Sequence, residues 1–68
     1  MLEFIMPNTF DFYSKVNELT KGQKYSAKRI GDIFVITWSL NGKDTLSYEE
    51  KITKVYYYLK RGDWIIIA

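Results

Sequence analysis

The chain has 68 residues, no cysteine, no histidine, a net charge of +2 and a mean hydropathy of −0.23. That excludes disulfide staples, thiolate-held metals and His-centred proton transfer, leaving apolar burial to stabilise a single domain, residues 1–68, near the lower size limit for folding alone. The balance of charge also excludes a nucleic-acid mimic and a chain that holds nucleic acid by charge alone.

Leu2, Phe4 and Met6 alternate with Glu3 and Ile5, which predicts a short first strand stopped by Pro7. Asn8 or Thr9 then caps an expected first helix, with Asp11 in its first turn and Phe12, Val16 and Leu19 as an apolar stripe assisted by Phe10 or Tyr13. Lys21 and Gly22 end it. The period changes to two from Lys24, with Tyr25 and Ala27 on one face and Lys24, Ser26 and Lys28 on the other, as in a half-exposed strand with a basic outer side.

Gly31 and Asp32 predict a turn, and Ile33 to Leu40 is dense in β-branched and aromatic residues, as in a central strand covered on both faces or nearly so. In it Phe34, Ile36 and Trp38 share one side and Val35 and Thr37 the other. Asn41-Gly42 is a strong hairpin signal, because both turn positions need positive φ, and Lys43 to Leu46 is the expected return strand.

Ser47 followed by Glu50 reads as a capping box that opens a second helix, with Tyr48, Ile52, Val55, Tyr56 and Leu59 as its apolar stripe. Gly62 stops it, and Trp64 to Ile67 reads as a buried terminal strand. The expected fold class is α+β: a small antiparallel sheet with two helices on one face, in the order (β)αβββαβ.

Side chains suited to catalysis are scarce. Glu49 and Glu50 diverge on a helix and serve the capping box, while Asp32 and Asp44 suit turns. The four glycines form no phosphate-cradling motif. The expectation is a protein that is not an enzyme and takes no cofactor or metal.

Surface contacts are better signposted. Twelve aromatic residues, at roughly 150 to 250 Å² each, carry more apolar area than so small a core can hide. Some rings should therefore remain exposed, marking a partner-binding or self-association face. Residues 1–20 hold three acids against one lysine, and residues 21–68 hold nine cations against five acids. Lys51, Lys54 and Tyr58 fall on one helical face and Lys60 with Arg61 extend it, while Tyr57 and Tyr58 are left on flanking or outer faces of the helix. Lys51, Lys54, Tyr57, Tyr58, Lys60 and Arg61 are the expected protein-binding residues. A nucleic-acid site formed by Lys24, Lys28, Lys51 and Lys54, with tyrosines as stacking platforms, is the alternative.

A third reading is self-assembly, with the Leu2–Met6 arm pairing to a strand edge of another copy. The longest uncharged stretch, Ile33 to Gly42, is too short to span a bilayer, and no signal-peptide pattern is present, so a cytoplasmic protein without membrane contact is expected.

Two resemblances bear on this. The predicted αβββα order resembles the double-stranded-RNA-binding domain, but Ser47-Tyr48-Glu49-Glu50-Lys51 stands where that family has a basic segment opening its second helix, so its RNA contacts do not carry over. Tyr48, Val55, Leu59, Gly62 and Trp64, a Tyr-led amphipathic helix followed by Gly and a strand Trp, are similar to the ending of short accessory proteins encoded by bacteriophages. That resemblance implies a compact inhibitor of a host enzyme or defence system.

Overall fold

A computed structural model describes residues 6–15, 23–40 and 42–67. Five strands and one helix follow in the order β1 (Thr9–Ser14), β2 (Lys24–Ile30), β3 (Ile33–Leu40), β4 (Asp44–Lys51), α1 (Ile52–Arg61) and β5 (Trp64–Ile66). The strands make one antiparallel sheet ordered β4-β3-β2-β1-β5. The α+β class and the small antiparallel sheet stand as expected. The expected arrangement with two helices does not, since α1 is the sole helix among the described residues.

The first correction is at β1. Phe10, Phe12 and Ser14 are buried and alternate with Thr9, Asp11 and Tyr13, so this segment has the period of a strand, where a helix was expected. Asn8 does not cap a helix: its carbonyl accepts the Arg29 amide at 2.7 Å and prolongs the β1–β2 ladder. Val16, Leu19 and Lys21–Gly22, which completed the helical pattern, lie outside the described residues, as does the expected Leu2–Met6 strand except for Met6. Met6 precedes β1 and packs against the core.

The second correction is at β4. Ser47 to Lys51 continues the strand in register with β3, from Leu40 opposite Asp44 to Ile33 opposite Lys51. A capping box would satisfy two backbone donors, whereas the β3 ladder engages the whole eight-residue segment. The helix therefore begins later, at Ile52, with Lys51 as N-cap and no side-chain capping bond. Leu40 pairs with Asp44, so the return strand begins one residue later than expected, with Gly42 at φ 72° before it.

The helix end is as expected. Gly62 sits at φ 82°, its amide donates to the Leu59 carbonyl and the Asp63 amide donates to the Tyr58 carbonyl at 2.9 Å, which is a Schellman termination.

One sheet face carries the core. Phe10, Ala27, Ile36 and Tyr48 form one row across four strands, and Phe34, Phe12, Tyr25 and Trp64 flank it. α1 crosses this face from the end of β4 to the start of β5 and inserts Val55, its buried residue. Among the described residues no element packs on the opposite face, which presents Thr9, Lys28, Val35 and Glu49 in one row and Asp11, Ser26, Thr37 and Ser47 in the next.

The described aromatic residues are absorbed more completely than the number in the chain predicts. Tyr25, Phe12, Trp64 and Tyr58 form a continuous column, with successive centroids 5.5, 4.2 and 4.7 Å apart and interplanar angles of 24°, 16° and 20°. Trp38 meets Tyr25 edge-on at 5.2 Å, and Tyr48 meets Trp38 edge-on at 6.0 Å. Offset and edge-to-face pairs are the arrangements that the ring quadrupole favours, each worth about 0.5 to 1.5 kcal/mol beyond burial. Tyr57 is the sole exposed ring among the described residues. The other large exposed apolar side chains among the described residues are aliphatic: Ile30, Leu46, Ile66 and Ile67.

Candidate functional site

The helix sorts its tyrosines by angle. With successive residues about 100° apart around the axis, burial of Val55 brings Ile52, Tyr58 and Leu59 to the core side, where all three pack on the buried cluster. Tyr58 is therefore partly buried and packs on the core with its ring stacked on Trp64, where a flanking or outer face was expected. Tyr56, expected within the buried stripe, is half-buried and lies outside that packed set. Tyr57 points outward, as expected, and is 48% exposed.

Each tyrosine of the run carries a cation four residues away on the same helix. Lys54 Nζ lies 5.8 Å from the centroid of Tyr58, Lys60 Nζ lies 5.8 Å from Tyr56, and the Arg61 guanidinium lies 5.0 Å from Tyr57. Arg61 Nη1 also donates to the Tyr57 hydroxyl, and Arg61 Nε lies 3.6 Å from the Asp63 carboxylate. The Tyr57 hydroxyl, followed by the Asp63 charge, raises the guanidinium pKa above its already high ordinary value. Pairs at this spacing stabilise a helix that lacks a side-chain N-cap and has no acid in its first turn. They also hold three cations in fixed positions around the exposed Tyr57.

The outward surface of α1 therefore presents Thr53, Lys54, Tyr57, Lys60 and Arg61, and α1 contains no acidic residue. Of the expected protein-binding residues, Lys54, Tyr57, Lys60 and Arg61 gather here. Lys51 ends β4, and strand alternation places it with Ile33 on the open sheet face.

The second set lies elsewhere. Lys24 and Lys28 alternate with the buried Tyr25 and Ala27, so they occupy the open face, across the sheet from α1. Lys51 shares that face with them and also lines a cavity with Lys54, Ile33 and Glu49 at the β4–α1 junction, away from Lys24 and Lys28. Lys24 Nζ is 3.4 Å from the Asp11 carboxylate, which also accepts the Ser26 hydroxyl at 2.8 Å. The Ser26 hydrogen bond, reinforced by Lys24 and opposed by desolvation, lowers the Asp11 pKa.

The carboxylates do not converge. Glu49 and Glu50 are successive strand residues on opposite faces of β4, and Asp32 and Asp44 stand at opposite ends of the sheet. Among the described residues no group of three His, Cys, Asp or Glu could hold a metal ion, and no helix is long and apolar enough to cross a membrane. No family model, curated protein or solved structure matches the chain.

Proposed function

We propose that the chain is a small non-enzymatic binding protein that acts through contact with another protein, using the outward face of α1. One observation carries the reading: Lys54, Lys60 and Arg61 surround Tyr57, the sole exposed ring among the described residues, on a helix without an acid. Tyrosine and arginine are the side chains most often responsible for binding energy at protein interfaces, because each combines apolar area with a directed polar group. The cations select a partner surface rich in carboxylates. The resemblance to short phage-encoded proteins rests on Val55, Leu59, Gly62 and Trp64 alone, since Tyr48 stands in β4; on that resemblance the partner is a host enzyme or defence protein, inhibited by being bound.

The test is capture from a cell extract on the immobilised chain, with and without nuclease, followed by mass spectrometry. A protein retained after nuclease treatment by the wild type and lost by Tyr57→Ala and by Lys54→Glu supports the reading. Retention by both folded variants, or loss on nuclease treatment alone, overturns it.

A further inference from the structure

The two edges of the sheet are built differently. β4 carries Asp44, Glu49, Glu50 and Lys51 within eight residues, the kind of charged edge that discourages pairing with another chain. β5 and the residue after it, Trp64 to Ile67, contain no charge, proline or glycine. Ile66 and Ile67 are 36% and 49% exposed there.

The bonds to β1 fix which way the β5 backbone points. The Ile67 amide donates to the Asp11 carbonyl at 2.9 Å, and the Lys15 amide donates to the Asp63 carbonyl at 2.7 Å. In an antiparallel ladder the hydrogen-bonded positions alternate, so Asp63, Ile65 and Ile67 turn their backbone groups toward β1. Trp64 and Ile66 turn theirs outward. Among the described residues no backbone group pairs with them.

We propose that this edge is a dimer interface for a second copy of the chain, with β5 paired antiparallel to β5 about a two-fold axis at Ile65. The register follows from the outward groups. Placing Trp64 opposite the partner's Ile66 uses every outward donor and acceptor of both residues, whereas centring the pairing on Trp64 or on Ile66 joins one mutual pair. Residues opposite one another across antiparallel strands share a face, so the two sheets become continuous and both helices lie on one side. The exposed Ile66 then lies beside the partner's Trp64, and the two Ile65 side chains meet on the open face. Asp63 falls opposite the partner's Ile67, so no like charges are opposed. An identical patch on both copies closes the assembly at two. This edge is separate from the outward face of α1, so the dimer and the proposed function can fail independently.

The absence of cysteine from the chain makes the test direct. Ile65 would occupy a non-hydrogen-bonded position at the axis, where facing Cα atoms lie about 4.5 Å apart, within disulfide range. Ile65→Cys should form an interchain disulfide about tenfold faster than Ile30→Cys, whose side chain is exposed but away from this edge. Sedimentation equilibrium of the wild type should show a dimer below the roughly millimolar concentrations at which even weak association is populated. Ile66→Pro deletes an outward amide and leaves the β1 ladder intact, so it should be a monomer with wild-type circular dichroism. A monomeric wild type at those concentrations, equal oxidation of the two cysteine variants, or a folded Ile66→Pro dimer would each overturn the proposal.

Discussion

The indole of Trp64 lies parallel to the ring of Phe12, 4.2 Å between centroids and 16° between planes. The contact ties the terminal strand β5 to β1, and Tyr58 covers the other face of the indole. Ser14, opposite Trp64 in the ladder, is a short buried residue, which leaves the indole room to reach diagonally to Phe12. Two strands and the helix thus meet on one side chain.

The size of that role is measurable. Trp64→Ala should cost about 3 to 5 kcal/mol in urea unfolding, a large share of the roughly 5 to 15 kcal/mol available to a small domain. Trp64→Phe should cost less than half as much, because a ring remains in the stack and the buried indole N–H, which has no hydrogen-bond partner among the described residues, is removed. Equal costs for the two variants would show that the stack does not organise the core.

Tyr57 and Tyr58 should separate stability from binding. Tyr58→Ala removes the ring stacked on Trp64 and should destabilise the chain by about 2 kcal/mol or more. Tyr57→Ala removes an exposed ring and its contact with Arg61, so its stability cost should stay within about 1 kcal/mol. Thermal unfolding of the pair checks this: a lower midpoint for Tyr57→Ala than for Tyr58→Ala would reverse the assignment of core and surface.

Asp11 should impart an acid limb to the stability curve. Its pKa is depressed in the folded chain, chiefly by the Ser26 hydroxyl and then by Lys24. Its ionised form therefore favours folding: the contribution is complete above the unfolded value of about 3.9 and is lost as pH falls through the lower folded value. A carboxyl-carbon titration should place the Asp11 midpoint below that of an unstructured peptide of the same sequence, and Ser26→Ala should move it upward. A midpoint unchanged in that variant would remove Ser26 as the cause.

Legibility in the sequence followed the number of competing patterns at each segment. Tyr25 and Ala27 alternate with lysines and serine, and Gly62 is followed at once by an apolar run, so β2, the helix end and β5 had no rival reading. Phe12, Val16 and Leu19 match a helical stripe, yet Phe10, Phe12 and Ser14 match a strand over the same start. The aromatic content of β1 and its pairing on both sides, with β2 and β5, decide for the strand. Ser47 and Glu50 fit a capping box and a strand equally well, and the eight-residue ladder with β3 outweighs two capped amides.

The later helix start then limited what could be seen of the site. Its rotational setting is fixed by Val55, and this turns Tyr58 inward while Tyr57 stays exposed. The spacing picked out Lys54, Tyr57, Lys60 and Arg61 as candidates, but it grouped Lys54 with Lys51 and Tyr58, and the gathering around Tyr57 depends on the helix setting. The separation of Lys24 and Lys28 from Lys54 was not visible, because it depends on which sheet face α1 covers.

The most direct test of the binding surface is amide chemical-shift mapping of the isotope-labelled chain as the protein captured by it is added. Changes confined to the outward positions of α1, above all Lys54, Tyr57 and Arg61, are predicted, with Tyr13, Lys24 and Lys28 on the open sheet face unmoved. Changes centred on that open face, with α1 unaffected, would contradict the account.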